Sequence, residues 1–416
     1  MMLLHKRLSI CFILSYVPAI VLALLPTRPA ASQFLTYLFS AILIWGIYKY
    51  RTYLSNYKIL ILNFIYSFVM FFIGLLHATT YEEYRSLSIH FVGTFGFLIP
   101  FFAIDVESLR KVFRLFITYG VCLCSFIYFF AKGKYGIYDF VHALSPLQVV
   151  IIFIPFIKKK KFILFLLGLS IFSIAFDTTI RSNLLNILAS YLILILAFIN
   201  SKKLNRLIAC SLIVAPIVLL SLGIMGTFNI FKIEEYDLNI TNELTEKSGE
   251  DELFIDSRTA VYNNIIGTVY NENALFFGKG YSSKAGYEMD VFGITDQGRE
   301  GSESGFLNRL LFGGIIAVSL NFLLVLVSIY SGLFKSKNKL SELLAIWLSY
   351  KWFFSFIEDP SINGFWVIFF MNMIVVGMLL SKQFRNMNDN DVRFFVNSIF
   401  NFKYKYDVYP PIDKRK

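Results

Sequence analysis

Charge is scarce in this chain, so the places that keep it are the first places to look for chemistry. Arg181 ends the string Asp177-Thr178-Thr179-Ile180-Arg181 and opens an apolar run. Arg258 lies in Asp256-Ser257-Arg258-Thr259, and Glu303 in Ser302-Glu303-Ser304-Gly305, with Arg309 a little farther on. Lys351 falls inside another apolar run that closes on Glu358 and Asp359. Guanidinium groups bind phosphate through two parallel hydrogen bonds and keep their charge at any physiological pH. A carboxylate facing them could take the proton of an attacking hydroxyl. Each group also has a structural reading. Arg181 suits a headgroup anchor, Arg258 a surface ion pair, and Glu303 a helix start favoured by the macrodipole and capped by Ser302 or Ser304. Arg309 and Lys351 resist such readings, because a cation within a span is costly unless it is paired or faces water. Pairing of Glu303 with Arg309, or of Glu358 with Lys351, would still imply a polar cavity. The histidines His77, His90 and His142 stand apart from one another; His142 is kept as a substrate-binding candidate. No metal-ligand cluster, Walker loop, HExxH, GxSxG or dinucleotide fingerprint is present.

These groups must be positioned by an all-α polytopic membrane protein. The chain is 56% hydrophobic and only 16% charged, too little charge to cover a soluble surface of 416 residues. Its mean hydropathy is +0.63. Apolar runs lie near 8–25, 34–48, 59–77, 87–104, 112–130, 143–157, 162–176, 183–199, 207–225, 303–330, 341–357 and 364–380, which predicts about twelve transmembrane helices. The first run is read as a helix that is kept rather than a cleaved signal. The net charge of +11 invites a nucleic-acid partner, but the basic residues cluster in alternate short loops. Lys6, Arg7, Lys49, Arg51, Lys58, Arg110, Lys111, Arg114, Lys158 to Lys161, Lys202, Lys203, Arg206, Lys335, Lys337 and Lys339 belong to one set. The other set of short loops holds only Arg28, Arg85, Lys132, Lys134 and Arg181. The positive-inside rule puts the first set, and both termini, in the cytoplasm.

Four segments follow: helices one to nine over 1–226, a large external loop over 227–302, helices ten to twelve over 303–380, and a tail over 381–416. The loop carries fourteen acidic and six basic residues and is too polar to lie in lipid. Within it, Leu253 to Tyr270 has helical spacing and Glu234 to Glu252 reads as loop, which predicts a partly helical cap. The tail, mixed in Asn, Asp and Lys, reads as a cytoplasmic appendage without a core. Cys11, Cys122, Cys124 and Cys210 all lie in apolar runs and read as small buried hydrophobes.

Three strings, with this topology, resemble the bacterial O-antigen polymerase and ligase superfamily. They are Thr179-Ile180-Arg181; Ser257-Arg258-Thr259-Ala260-Val261-Tyr262 with Phe277-Gly278-Lys279-Gly280-Tyr281; and Ser302-Glu303-Ser304-Gly305-Phe306-Leu307 with Leu310-Leu311-Phe312-Gly313-Gly314-Ile315. The resemblance implies a GT-C-like, metal-independent and cofactor-free glycosyltransferase of the inner membrane. Its donor and acceptor would be undecaprenyl-pyrophosphate-linked oligosaccharides met at the periplasmic face, with membrane lipids and a chain-length regulator as further partners. Carried over by position, Arg181 and Arg258 would bind the donor pyrophosphate and Glu303 would act as base; Arg309, Lys351, Glu358 and His142 are the substrate-binding candidates that the residues themselves offer. Ligases of the superfamily place a histidine where this chain reads Ser-Glu-Ser-Gly. That departure favours an O-antigen repeat-unit polymerase, with an O-antigen ligase acting on lipid A core, or a flippase, as the alternatives.

Overall fold

The computed structural model describes Ile10 and residues 57–103, 106–120, 144–175, 181–199, 201–224, 257–285, 302, 304–358 and 367–400. Regular structure among them is helical, with no strand. Helices long and apolar enough to cross a bilayer are α1 (Lys58–His77), most of α7 (Arg181–Ile199), most of α8 (Lys202–Ile224) and α10 (Gly305–Phe334). Leu62, Phe72, Leu192 and Leu207 are more than half or about half exposed on such helices, an outward apolar face suited to hydrocarbon.

The runs near 87–104, 112–130 and 143–157 are not straight spans where they are described. The first is α2 (Tyr81–Thr94), then a 3-10 turn over Phe95–Leu98 and α3 (Ile99–Phe102), with Pro100 at the start of the last. The second begins in α4 (Val106–Leu115), amphipathic, and a π turn over Phe116–Gly120. The third is α5 (Pro146–Ile151) and a 3-10 turn at Ile154–Phe156, where Pro155 supplies no amide. α2 opens on a capping box: Glu83 Oε2 accepts from the amides of Thr79 (2.7 Å) and Thr80 (3.1 Å), while Thr80 Oγ1 accepts from Glu83 N. The Thr79 amide holds the Glu83 carboxyl below the usual carboxylate range.

The central post is α11 (Lys339–Phe354). It is buried on all sides, as an all-round apolar helix should be, and packs on α7, α8, α10 and α12 (Val367–Leu380). Around it lie α6 (Lys160–Ala175) and α5, joined to α7 through Asn183: its amide nitrogen donates to Ser173 Oγ, and its oxygen accepts from Gln148 Nε2. α9 (Ser257–Asn271) confirms the helix expected from Leu253 to Tyr270 and packs on α10.

Cys210, the cysteine among the described residues, departs from the sequence reading in being exposed on α8, and the tail and the large loop depart from it too. The tail does have a core: α13 (Lys382–Arg385) and α14 (Asp389–Phe400) bury Phe384, Val392, Phe395, Val396, Ile399 and Phe400 in the main apolar cluster. α14 packs against α4, and Arg114 donates to Ser398 O at 2.6 Å. The large loop, moreover, does not only cap the bundle. Residues 275–281 enter it where α10 breaks at Gly314 (φ 62°, ψ −163°). There Lys279 N and Gly280 N donate to Leu311 O (2.8 Å) and Phe312 O (2.9 Å), and Ile315 N donates to Leu275 O (2.8 Å). Tyr66 OH donates to Gly313 O (2.8 Å), and Ser282 Oγ to Gly74 O (2.7 Å). The strings Phe277-Gly278-Lys279-Gly280-Tyr281 and Leu311-Phe312-Gly313-Gly314 are therefore one structural unit.

This contact sets a test. A Cβ on Gly278 (φ +70°) would stand 2.4 Å from Gly313 N. Gly278→Ala is expected to cost at least about 1–3 kcal/mol and to lower the melting temperature of the purified protein. Gly267→Ala in the middle of α9, where nothing lies within 4 Å, should be neutral or stabilising by up to about 1 kcal/mol. Equal melting temperatures for the two variants would refute the docking.

Candidate functional site

Ser302 and Ser304 precede α10, and hydrogen bonds fix them there. Ser302 N donates to Asn308 Oδ1 (2.6 Å), Asn308 Nδ2 donates to Ser302 O (2.8 Å), and Ser304 Oγ caps the amide of Leu307. Ser304 Oγ and Phe306 N both donate to Ser355 O at 3.0 Å, so the start of α10 is tied to the end of α11. Tyr262 on α9 donates to Phe356 O at the same end. The helix that carries Arg258, Ser304 at the start of α10 and the end of the helix that carries Lys351 thus meet at one end of the bundle.

Two clefts lie within the bundle and share a wall of Arg309, Asn321 and Phe369. The first lies between α1, α2, α10 and the inserted loop, encloses about 570 Å³ with its open mouth included, and is also lined by Asn63, Tyr66, His90 and Tyr281. The second, about 480 Å³ on the same measure, lies between α10, α11 and α12 and is lined by Lys351, Ser355 and Asn372. No Asp or Glu is among the described residues lining either cleft.

Arg309 reaches this position on the short first half of α10, ahead of the break. Lys351 is 4% exposed, and its Nζ donates to Asn186 Oδ1 on α7 at 3.3 Å and lies 5.1 Å from the Phe354 ring centre. Asn186 is held in turn by its own Nδ2 donating to Ser182 O (2.8 Å). The arrangement brings two cations to a partly enclosed space whose other polar lining includes Tyr66, His90, Tyr281 and Ser355 besides the amides of Asn63, Asn321 and Asn372.

Of the residues singled out in the sequence, Arg309 and Lys351 are brought to one site. Glu358 lies half-buried just past α11, its amide donating to Phe354 O (2.8 Å), and is not among the cleft-lining residues. Arg181 heads α7, five positions before Asn186, and Arg258 heads α9, one turn before Tyr262; their side chains, all of Glu303 and all of His142 lie outside the described residues. The sequence reading passed over Asn63, Asn186, Asn321 and Asn372, whose signal was an amide inside an apolar run. It also set aside His90, whose isolation in sequence hid its place in the cleft. Comparisons with models of protein families, with curated proteins and with solved structures find no match.

The geometry separates two kinds of substitution. Lys351→Met removes a buried charge together with its desolvation cost and is expected to leave thermal stability unchanged or raised. Asn186→Leu takes an acceptor from a buried ammonium and should destabilise by about 1–3 kcal/mol. Melting curves of the two purified variants decide it; a less stable Lys351→Met alongside an unaffected Asn186→Leu would show that the pair does not hold Lys351.

Proposed function

We propose that the chain is a membrane glycosyltransferase that polymerises lipid-linked oligosaccharide repeat units. It would move the growing glycan from its isoprenoid pyrophosphate onto a sugar hydroxyl of the next lipid-linked unit. The observation that carries this reading is the cleft lined by both Arg309 and Lys351. A leaving pyrophosphate gains charge as the sugar departs, and fixed cations in a partly desolvated space stabilise that charge without reorganising. In this reading the Ser302 end faces the periplasm, the basic loops and both termini face the cytoplasm of a bacterial inner membrane, and about twelve helices cross in a GT-C-like arrangement. Arg181 and Arg258 head the helices α7 and α9 that pack at that end, where they would meet the donor as well. Glu303 is the base that the family resemblance names.

A carrier for lipid-linked units is the reading from another class, and broken helices are common in carriers. There, the freed half-helix ends hold the substrate or ion. Here the carbonyls of Leu311 and Phe312 and the amide of Ile315 are already bonded by the inserted loop, so the break has little left to offer a cargo.

The test is a gel of surface polysaccharide from cells lacking the gene, complemented with wild type or variants. Wild type should restore a ladder. Arg309→Ala, Arg181→Ala and Arg258→Ala should each leave core plus a single repeat unit, with polymer reduced at least about 100-fold while the protein remains in the membrane. Loss of the single-unit band on deletion would point to a ligase or flippase, and an unchanged ladder would remove the pathway altogether.

A further inference from the structure

Transfer to a hydroxyl needs a group that accepts its proton, and the adjoining cleft, across the wall that Arg309 shares, contains an imidazole. Of the two histidines among the described residues, His77 is exposed at the end of α1, whereas His90 on α2 is 5% exposed and lines the first cleft together with Arg309. The His90 ring stacks on Tyr281 (5.6 Å between centres, 22° between planes) and packs on Phe312 at 4.5 Å. Both contacts are consequences of the break in α10: Phe312 lies at it, and the inserted loop brings Tyr281.

The other titratable groups lining the cleft have the wrong acidity for that task. Tyr66 donates its hydroxyl to Gly313 O, and Asn63 donates its amide to Ile59 O (2.9 Å) and Leu320 O (3.0 Å). Tyr281 accepts a 3.5 Å hydrogen bond from Thr94 Oγ1, and phenols titrate near pH 10. Arg309 stays protonated throughout the physiological range. An imidazole is the side chain that exchanges a proton near neutrality. Among the described residues that line the cleft with His90, the titratable or charged ones are Tyr66 from α1, Tyr281 from the loop and Arg309 from α10; α12 contributes Phe369. The acidic residues of its own helix, Glu82 and Glu83, sit at the exposed start, where Lys284 bridges Glu82 at 3.4 Å.

We infer that His90 is the base that accepts the proton of the acceptor hydroxyl. The inference rests on the polymerase reading and replaces only Glu303 within it. In the step, the acceptor O–H bond breaks and its proton moves to an imidazole nitrogen. The oxygen forms the new bond to the anomeric carbon of the donor. The bond from that carbon to the pyrophosphate oxygen breaks, and its electron pair leaves on the pyrophosphate, whose added charge faces Arg309 and Lys351. The imidazolium then returns its proton to solvent or to the released pyrophosphate.

The experiment uses the purified full-length protein with synthetic lipid-pyrophosphate-linked repeat units, and follows chain elongation from about pH 5 to about pH 9, on either side of the ordinary histidine range. Wild type should lose activity on the acid side as the imidazole becomes protonated. His90→Gln should lower kcat about 100- to 10,000-fold, leave the KM for the lipid-linked donor within about threefold, and lose the acid limb. Should that variant fail to fold, modification of wild type by diethyl pyrocarbonate decides instead: His90 must be the histidine whose labelling tracks inactivation and is blocked by the donor. Retention of the acid limb and of kcat in His90→Gln, or disappearance of the limb in Glu303→Gln, overturns the assignment. Absence of elongation by wild type at every pH overturns the polymerase reading first, and the base assignment with it.

Discussion

An apolar surrounding leaves backbone amides and carbonyls no water to bond, and each unpaired group costs several kcal/mol. The break in α10 at Gly314 creates several such groups at once, and the bundle closes only because another stretch of backbone enters to meet them. Leu275 and Phe276 supply carbonyls, Lys279 and Gly280 supply amides, and Tyr66 adds its hydroxyl to Gly313 O. The fit demands glycine. Gly278 and Gly280 take positive φ and leave no room for a Cβ against Phe312 and Gly74 respectively. The same insertion carries Tyr281 onto His90, and the first half of α10 places Arg309 between the two clefts. The geometry of the site is thus a by-product of satisfying a broken helix.

Inside that frame the polar chemistry is economical. Asn63, Asn321 and Asn372 are neutral and line the clefts from α1, α10 and α12; Asn186 on α7 supports Lys351 from behind. An amide donates and accepts without the large solvation loss of a buried ion. Fixed charge is confined to Arg309 and Lys351 among the described lining residues.

Much of this was legible in the sequence, and the rest was hidden for specific reasons. The helix over Ser257–Asn271, the polar cavity implied by Arg309 and Lys351, and the strings around Gly278 and Gly313 could all be picked out. That those two strings touch could not, because the contact is backbone to backbone and leaves no side-chain pattern. The apolar runs at 87–104 and 143–157 gave no sign of their short turns beyond Pro100, Pro146 and Pro155. The tail was misjudged because Asn and Asp mask a regular spacing: Val392, Phe395, Val396 and Ile399 fall on one helical face and are all buried. His90 was set aside because sequence isolation says nothing about which helices face each other.

The opposite end of the bundle bears on which class of function the clefts serve. At the Lys339 end, Asn338 Nδ2 donates to Phe384 O (2.9 Å) and Met387 O (3.2 Å), and Lys339 N donates to Asp389 Oδ1 (2.8 Å). Lys158 N donates to Asn397 Oδ1 (2.8 Å), and Asn397 Nδ2 donates back to Phe156 O (2.9 Å). These bonds bind the tail helices to the turns before α6 and α11 in both directions. A carrier working by alternating access must part its two ends in turn. Parting this one would break the whole set and expose Phe384, Phe395 and Phe400 together. An enzyme that meets its substrates at one end needs no such opening, and a tail that locks the other end then has a physical purpose: it holds α11, and with it Lys351, at a fixed depth beneath the cleft.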